Sequence, residues 1–137
     1  MTESDLVDVT DDLIQLGTDE QKQSVKTALY TSNGWFIRLQ NSGEKVVASP
    51  RVYAGVVYFT TYIPSDGTEG TSGDPCAVST ARGVGRLYAV NYKTGASVIE
   101  LNSKVETDNS GNVVDLGKKD RSVAIGTAIP SAPVIVV

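Results

Sequence analysis

The segment Gly34–Tyr62 limits the fold more than any other part of the chain. It contains the single Trp and a dense run of β-branched and aromatic residues, of which Val56–Tyr62 is the strongest strand candidate. Turn signals at Asn41-Ser42-Gly43 and Ala54-Gly55 separate the candidate strands. Short strands separated by glycine-containing turns are typical of an antiparallel meander.

A second strand-rich segment follows later in the chain. Arg86–Tyr92 alternates in the manner of a strand, Lys93-Thr94-Gly95 provides a tight turn with glycine at the positive-φ position, and Ala96–Leu101 returns. With the first segment, this predicts a mainly β fold, an antiparallel meander or blade-like sheet over about 34–62 and 86–137.

One amphipathic helix is predicted near the N-terminus, over about 18–32. Thr18 is a suitable N-cap and Gln21 completes a capping box. Apolar residues at i, i+3 and i+4 form one narrow stripe: Val25, Ala28 and Leu29. We expect this helix to dock on the sheet, with a partner-binding helix as the alternative. The alternation of Leu6–Thr10 predicts a short strand before it.

Composition excludes several classes of protein. The chain has 137 residues, 40% hydrophobic and 20% charged, which is enough for one domain with a modest core. No apolar run is long enough to predict a membrane span. The net charge is −4 and the basic residues are scattered, so a nucleic-acid surface is not predicted.

The absence of histidine restricts the chemistry further. Without His the chain lacks the commonest general base, the Ser-His and Cys-His nucleophile pairs and the usual zinc ligand sets. We therefore expect a protein that is not an enzyme and has no cofactor. The lone Cys76 cannot form an internal disulfide, so it is either reduced or paired outside this chain.

The segment 63–85 predicts a long loop. It is rich in Gly, Ser, Thr and Asp and has no periodicity, which is typical of functional or disordered loops. It lacks the Gly-Lys-Ser/Thr sequence of a phosphate-binding loop. Loops on a rigid sheet commonly carry recognition, so we expect an interaction surface here. Its candidate residues are Asp66, Glu69, Asp74 and Arg82.

The segment Val105–Arg121 has two interpretations. Its candidate oxygen ligands for calcium are Asp108, Ser110, Asn112, Asp115 and Asp120. Counting from Asp108, however, Val113 occupies the sixth position, where calcium loops need glycine, and Asp120 comes one residue late. The favoured interpretation is a plain hairpin across residues 109–112, with a degenerate calcium site as the alternative.

The aromatic residues also allow two interpretations. Those in or beside candidate strands are Trp35, Tyr53, Tyr58, Tyr62, Tyr88 and Tyr92. Alternating aromatics in sheets usually fill the core or form cross-strand pairs, and this is the favoured prediction. A surface on which carbohydrate stacks is the alternative.

Ordered motifs along the chain resemble a known family. The hairpin LYAVNYKTGASVIEL resembles the blade hairpins of quinoprotein-type β-propellers. The segments NGWFIRL, SGEKVVASPRVYAGVVYFTTYIP, DPC, GRLYAVNYKTGA and RSVAIGTAIPSAPVIVV, in that order, are together similar to the C-terminal propeller region of the PilY/PilC family. These are type IV pilus assembly and tip-adhesin proteins.

The resemblance implies a role in pilus biogenesis and surface adhesion, acting by contact. It implies a partial β-propeller and export to the periplasm, outer membrane or cell surface. The implied partners are the rest of a parent propeller, pilus or minor-pilin components and adhesion targets. Many members of the family carry an Asp-rich calcium loop near Val105–Arg121. A fragment of a quinoprotein-like enzyme is the alternative, which would need a calcium–quinone site built from several blades.

The apolar run Pro133–Val137 predicts a further strand. A partial propeller has too few strands to close a ring, so we expect exposed strand edges. Pairing between copies of the chain through those edges is the resulting hypothesis for oligomerisation.

Overall fold

The computed structural model describes residues 2–65, 82–102 and 104–136. The short N-terminal elements are a 3₁₀ turn at Glu3–Asp5, β1 (Val7–Asp8), α1 (Leu13–Leu16), α2 (Asp19–Thr31) and β2 (Trp35–Phe36). The strands that follow are β3 (Lys45–Val46), β4 (Arg51–Tyr53), β5 (Val56–Ile63), β6 (Val84–Asn91), β7 (Glu106–Thr107) and β8 (Val113–Val114). A 3₁₀ turn at Lys118–Arg121 precedes β9 (Ser122–Gly126). None of the described helices has the length and apolar character needed to span a bilayer.

The main sheet is antiparallel and confirms the strand-rich prediction. Its order is β3-β5-β6-β9, and β4 pairs with the same edge of β5 that β3 uses. Lys45 pairs with Tyr62 and Arg51 pairs with Tyr58. Strands β3 and β4 therefore occupy one column, that is, one strand position in the sheet, as two successive pieces. Pro50 lies between them and has no N–H to donate, which explains the break.

The predicted hairpin turns are present. Ala54 and Gly55 have φ values of 48° and 80°, as in the type I′ turn that matches the twist of two antiparallel strands. Gly95 has φ 66°, and its N–H donates to the carbonyl of Asn91 at 2.8 Å. β5 and β6 pair along their full eight-residue lengths.

Two separate segments, one containing Ser97 and one beginning at Ser122, pair with the same edge of β6, so the column beside β6 is split. This corrects the prediction of a strand over Ala96–Leu101. Only Ser97 bridges to β6, opposite Val90. The column resumes at Ser122, which pairs with Tyr88. The chain leaves the sheet between these points as the 98–121 segment, which carries the predicted β7–β8 hairpin as a separate two-strand sheet.

Two further sheet predictions are wrong. Trp35–Phe36 pairs in parallel with Val7–Asp8 instead of starting the meander, because the N-terminal segment (residues 2–17) lies beside it. Residues 127–136 contain no strand. Pro130 and Pro133 remove backbone donors there, so a continuous ladder cannot form.

The helix prediction is confirmed, but its docking site differs. The N–H of Gln21 donates to Thr18 Oγ1 at 3.3 Å, and the N–H of Thr18 donates to Gln21 Oε1 at 2.9 Å, closing the capping box. α2 packs mainly against α1 and β1, and none of its residues is fully buried. Helix α1 and strand β1, rather than the main sheet, therefore support α2.

The core lies where the N-terminal segment meets β6. The buried apolar residues among those described are Val9, Tyr88, Ala89, Val90 and Ala96. Gly95 belongs to this junction, because a Cβ there would lie 2.7 Å from Val9 Cγ2 and 2.9 Å from Trp35 Cε3.

Replacing Gly95 by Ala tests this packing. We expect a cost of about 1 kcal/mol from the positive φ and roughly 1–3 kcal/mol more from overlap with Val9 and Trp35. Gly111→Ala is the matched control, because Gly111 also has a positive φ (86°) but no atom within 4 Å of the added Cβ. Urea unfolding measures both variants. Equal losses of stability would show that Gly95 is needed only for its backbone conformation.

Candidate functional site

A side-chain amide occupies the position of a strand partner at the split column. Gln15 Nε2 donates to the carbonyl of Ser97 at 3.1 Å, and the N–H of Ser97 donates to Gln15 Oε1 at 3.2 Å. The hydroxyl of Ser97 donates to the same oxygen at 2.8 Å. These bonds satisfy the N–H and carbonyl of Ser97, which an additional strand on the side away from β6 would otherwise pair.

Arg121, the residue before β9, binds the backbone of the N-terminal segment. Its Nη1 donates to the carbonyl of Thr10 at 2.8 Å and its Nη2 to the carbonyl of Val9 at 2.7 Å. The guanidinium is buried, and its Nη2 lies 3.4 Å from Asp12 Oδ1. A planar group with several donors is suited to binding adjacent carbonyls.

Asp12 is an unusual partner for this arginine. It is 1% exposed and adopts the left-handed conformation (φ 54°), and neither of its carboxylate oxygens has a hydrogen-bond donor among the described residues. Burial raises the pKa of Asp12 to about 7, against the lowering effect of Arg121, and the nearby Glu106 raises it further. Burial likewise lowers the pKa of Arg121. The desolvation of this pair outweighs its mutual attraction.

The 98–121 segment also holds the two helices. The N–H of Asn109 donates to the carbonyl of Leu16, the last residue of α1, at 2.6 Å. Its side-chain amide donates to Gln21 Oε1 at 2.9 Å. Lys22 Nζ lies 3.6 Å from Asp108 Oδ2. The hairpin turn therefore packs against the ends of both helices.

The structure brings together only three of the calcium candidates. Asp108 Oδ1 accepts hydrogen bonds from the N–H groups of Ser110 and Asn112, both at 2.9 Å, and these bonds, with that of Asn112 foremost, lower the pKa of Asp108. Asp115 is exposed, and Asp120 is buried, where it accepts from the N–H of Gly117 at 3.1 Å. Among the described residues no three His, Cys, Asp or Glu side chains are grouped so that they could hold a metal ion. Calcium binding here stays a prediction.

Most of the predicted interaction loop lies outside the part of the chain that the structure describes. Asp66, Glu69 and Asp74, with the lone Cys76, lie outside the described residues. Arg82 is exposed just before β6.

The buried carboxylate of Glu44 accepts a hydrogen bond from Tyr88, one of the aromatic residues predicted to fill the core. Tyr88 stacks on Phe59 with 4.7 Å between ring centroids, and its hydroxyl donates to Glu44 Oε1 at 2.9 Å. Glu44 also accepts from Thr61 Oγ1 and Asn41 Nδ2, both at 2.6 Å. Burial, together with the charge of Glu44, raises the pKa of Tyr88 to about 12. Tyr88 is therefore a core residue held in its neutral form.

The other aromatics divide between the sheet and the surface. Tyr58 and Tyr62 are half-buried on β5, and Tyr53 is exposed on β4. Trp35 donates its indole N–H to the backbone carbonyl of Tyr92 at 2.8 Å, which fixes the Trp35 side chain.

Sequence reasoning missed Gln15, Glu44, Asp12 and Arg121. Each belongs to an ordinary polar type, and the partners of Gln15 and Arg121 lie 82 and 111–112 residues away. No local pattern in the sequence signals such pairs.

Comparison with known proteins gives no relative for this chain. No family model matches it, and neither the curated proteins nor the solved structures contain a match.

Replacing Asp12 by Asn tests the buried pair. Because burial raises the pKa of Asp12 from 3.8 to about 7, the folded chain keeps a proton that the unfolded chain releases between those values. This group therefore lowers the free energy of unfolding as pH rises through that range, by up to about 1.4 kcal/mol per pH unit. In Asp12→Asn we expect this decline to disappear. Urea unfolding at several pH values measures it, and parallel pH profiles for both proteins would contradict the raised pKa.

Replacing Asp108 by Ala tests the hairpin against the calcium loop. We expect a lower melting temperature near neutral pH, because two turn N–H groups lose their acceptor. The difference should shrink in acid, since the lowered pKa of Asp108 stabilises the fold only where the carboxylate is ionised.

Asp115→Ala, at an exposed position just after β8, is the control and should unfold like the parent chain. Calcium is then added to all three proteins while thermal unfolding is followed. A saturable rise in the parent's melting temperature at micromolar calcium would establish the calcium site instead.

Proposed function

We propose that this chain is a non-catalytic contact module of the type IV pilus assembly and tip-adhesin class, forming one part of a larger propeller. The ordered motifs described above support the class. The observation that carries the proposal is an apolar surface on one sheet face, extended by the segment 127–136. The corresponding location is the periplasm, outer membrane or cell surface. The corresponding partners are neighbouring blades, pilus components and adhesion targets.

The surface begins on the sheet. Tyr58, Thr60 and Leu87 share one face, as their register shows. The segment 127–136 runs beside this face, where Thr60 Oγ1 donates to the carbonyl of Ser131 at 3.0 Å. Between the segment and the sheet lies an open groove of about 750 Å³.

The segment itself presents apolar side chains outward. Ile129 is 67% exposed and Val134 is 84% exposed. Contiguous apolar surface of this kind is typical of an interaction site, and each square ångström buried contributes about 25 cal/mol. We assign a neighbouring blade of the propeller to the outward side of this segment, because packed sheets bury apolar side chains between them.

Charged substitutions on the segment test the proposal. We expect Ile129→Asp and Val134→Asp, introduced into the encoding organism, to reduce surface pili and adhesion, because a carboxylate cannot be buried against an apolar partner without a large cost. Piliation is measured by electron microscopy and adhesion by retention on a surface. Immunoblotting verifies that the variants accumulate to normal levels.

Val105→Asp and Val113→Asp are the matched controls. Both valines are as exposed as Ile129, but they lie in the 98–121 segment, away from the sheet face. They should leave piliation unchanged. Normal piliation and adhesion in all four variants would refute the proposal, and equal losses in all four would remove the assignment to this face.

A further inference from the structure

A second surface feature lies at the opposite part of the fold, between the end of α2 and the β6 hairpin. It is a groove of about 720 Å³, here called the aromatic groove. Its main lining residues are Lys26, Leu29, Tyr30, Trp35, Tyr92 and Lys93. Tyr30 is 91% exposed although it lies on a helix, and Trp35 is fixed by its hydrogen bond to the carbonyl of Tyr92. Trp35 thus forms a wall of the groove that a hydrogen bond holds in place, and Tyr30 forms a wall that is exposed to solvent.

The charge of the aromatic groove is opposite to that of the whole chain. The chain has 16 acidic and 12 basic residues, yet none of the described residues that line the groove is acidic. Lys26 and Lys93 line it, and neither belongs to the ion pairs found among the described residues. Lys93 Nζ lies 5.5 Å from the ring centroid of Tyr92. Two cations without acidic neighbours in the groove are complementary to an anionic ligand.

The backbone around the aromatic groove is already engaged. The carbonyl of Gly34 accepts from the N–H of Val7, and the N–H of Asn33 donates to the carbonyl of Asp5. The N–H of Tyr92 donates to the carbonyl of Gly55, while its own carbonyl accepts from Trp35. An extended peptide binds mainly through free main-chain groups, which these positions do not offer. At these positions recognition comes from side chains.

Those side chains suit a sugar. Aromatic rings present flat apolar faces, Tyr30 and Tyr92 add hydroxyl groups, and the exposed Asn33 adds an amide that can donate and accept. Sites of this type combine apolar walls with a few polar groups that fix orientation. Lys26 and Lys93 would bind carboxylates.

We propose that the aromatic groove binds an acidic saccharide, a chain of uronic-acid type. This inference names a ligand class for the surface adhesion in the proposed function and rests on it. Solution binding tests it without pili, so its failure is distinguishable: the Ile129 and Val134 variants should bind the sugar normally.

The experiment titrates the 137-residue chain with a tetramer of galacturonic acid, using calorimetry. A neutral galactose tetramer of the same length and a glutamate tetrapeptide of the same charge are the comparison probes. We expect binding of the galacturonate tetramer alone, weakening as salt is raised because exposed charges are screened. No binding of the galacturonate tetramer, or equal binding of the galactose tetramer or the glutamate tetrapeptide, would overturn the proposal.

Variants locate the binding in the groove. Tyr30→Ala and the double variant Lys26→Gln, Lys93→Gln should each weaken binding by about tenfold, as expected for residues central to a contact. Tyr53→Ala and Lys104→Gln remove an exposed tyrosine and an exposed lysine elsewhere and should bind like the parent chain. Equal weakening in both sets would show non-specific attraction and overturn the assignment to this groove.

Discussion

The fold depends on the hydrogen bonds from Arg121 to the carbonyls of Val9 and Thr10. Because the column beside β6 is split, the two segments that contain Ser97 and Ser122 must be held side by side without a continuous strand. The N-terminal segment contacts both, since Gln15 bonds to Ser97 and Arg121, the residue before Ser122, binds the carbonyls of Val9 and Thr10. The junction is polar although it is buried, so its stability depends on complete pairing of donors and acceptors. In the described part of the chain, the buried atoms of this junction without a hydrogen-bond partner are both carboxylate oxygens of Asp12 and the Nε of Arg121.

This arrangement leaves two surfaces on separate parts of the molecule. The sheet face beside residues 127–136 borders an open, mainly apolar groove. The aromatic groove lies between α2 and the β6 hairpin. Residues that bind ligands commonly lie where a rigid scaffold positions them. The two proposals use different residues, so separate sets of variants test them.

The sequence predicted the local structure well. Turns at Gly95 and at Ala54-Gly55, the paired strands β5 and β6 and the capped helix α2 were all readable from it, because their signals lie within a few residues. The candidate site was harder to predict from the sequence. The Asp108 turn was visible as a hairpin, but Asp120 was grouped with it only by sequence spacing, and in the structure it is buried at the 3₁₀ turn before β9. Burial and orientation decide such questions, and neither follows from spacing.

The sequence by itself determined the two long strands β5 and β6, where the chain reverses at Ala54-Gly55 and Gly95, and where the helix begins, since backbone preference and capping act over one turn. Only the tertiary structure decided that Trp35–Phe36 pairs in parallel with Val7–Asp8, that the column beside β6 is split and that Arg121 binds the N-terminal segment. The physical reason is distance along the chain. Contacts between residues 80 or more positions apart form only where burial of the whole junction repays the lost chain entropy. No local pattern encodes that balance.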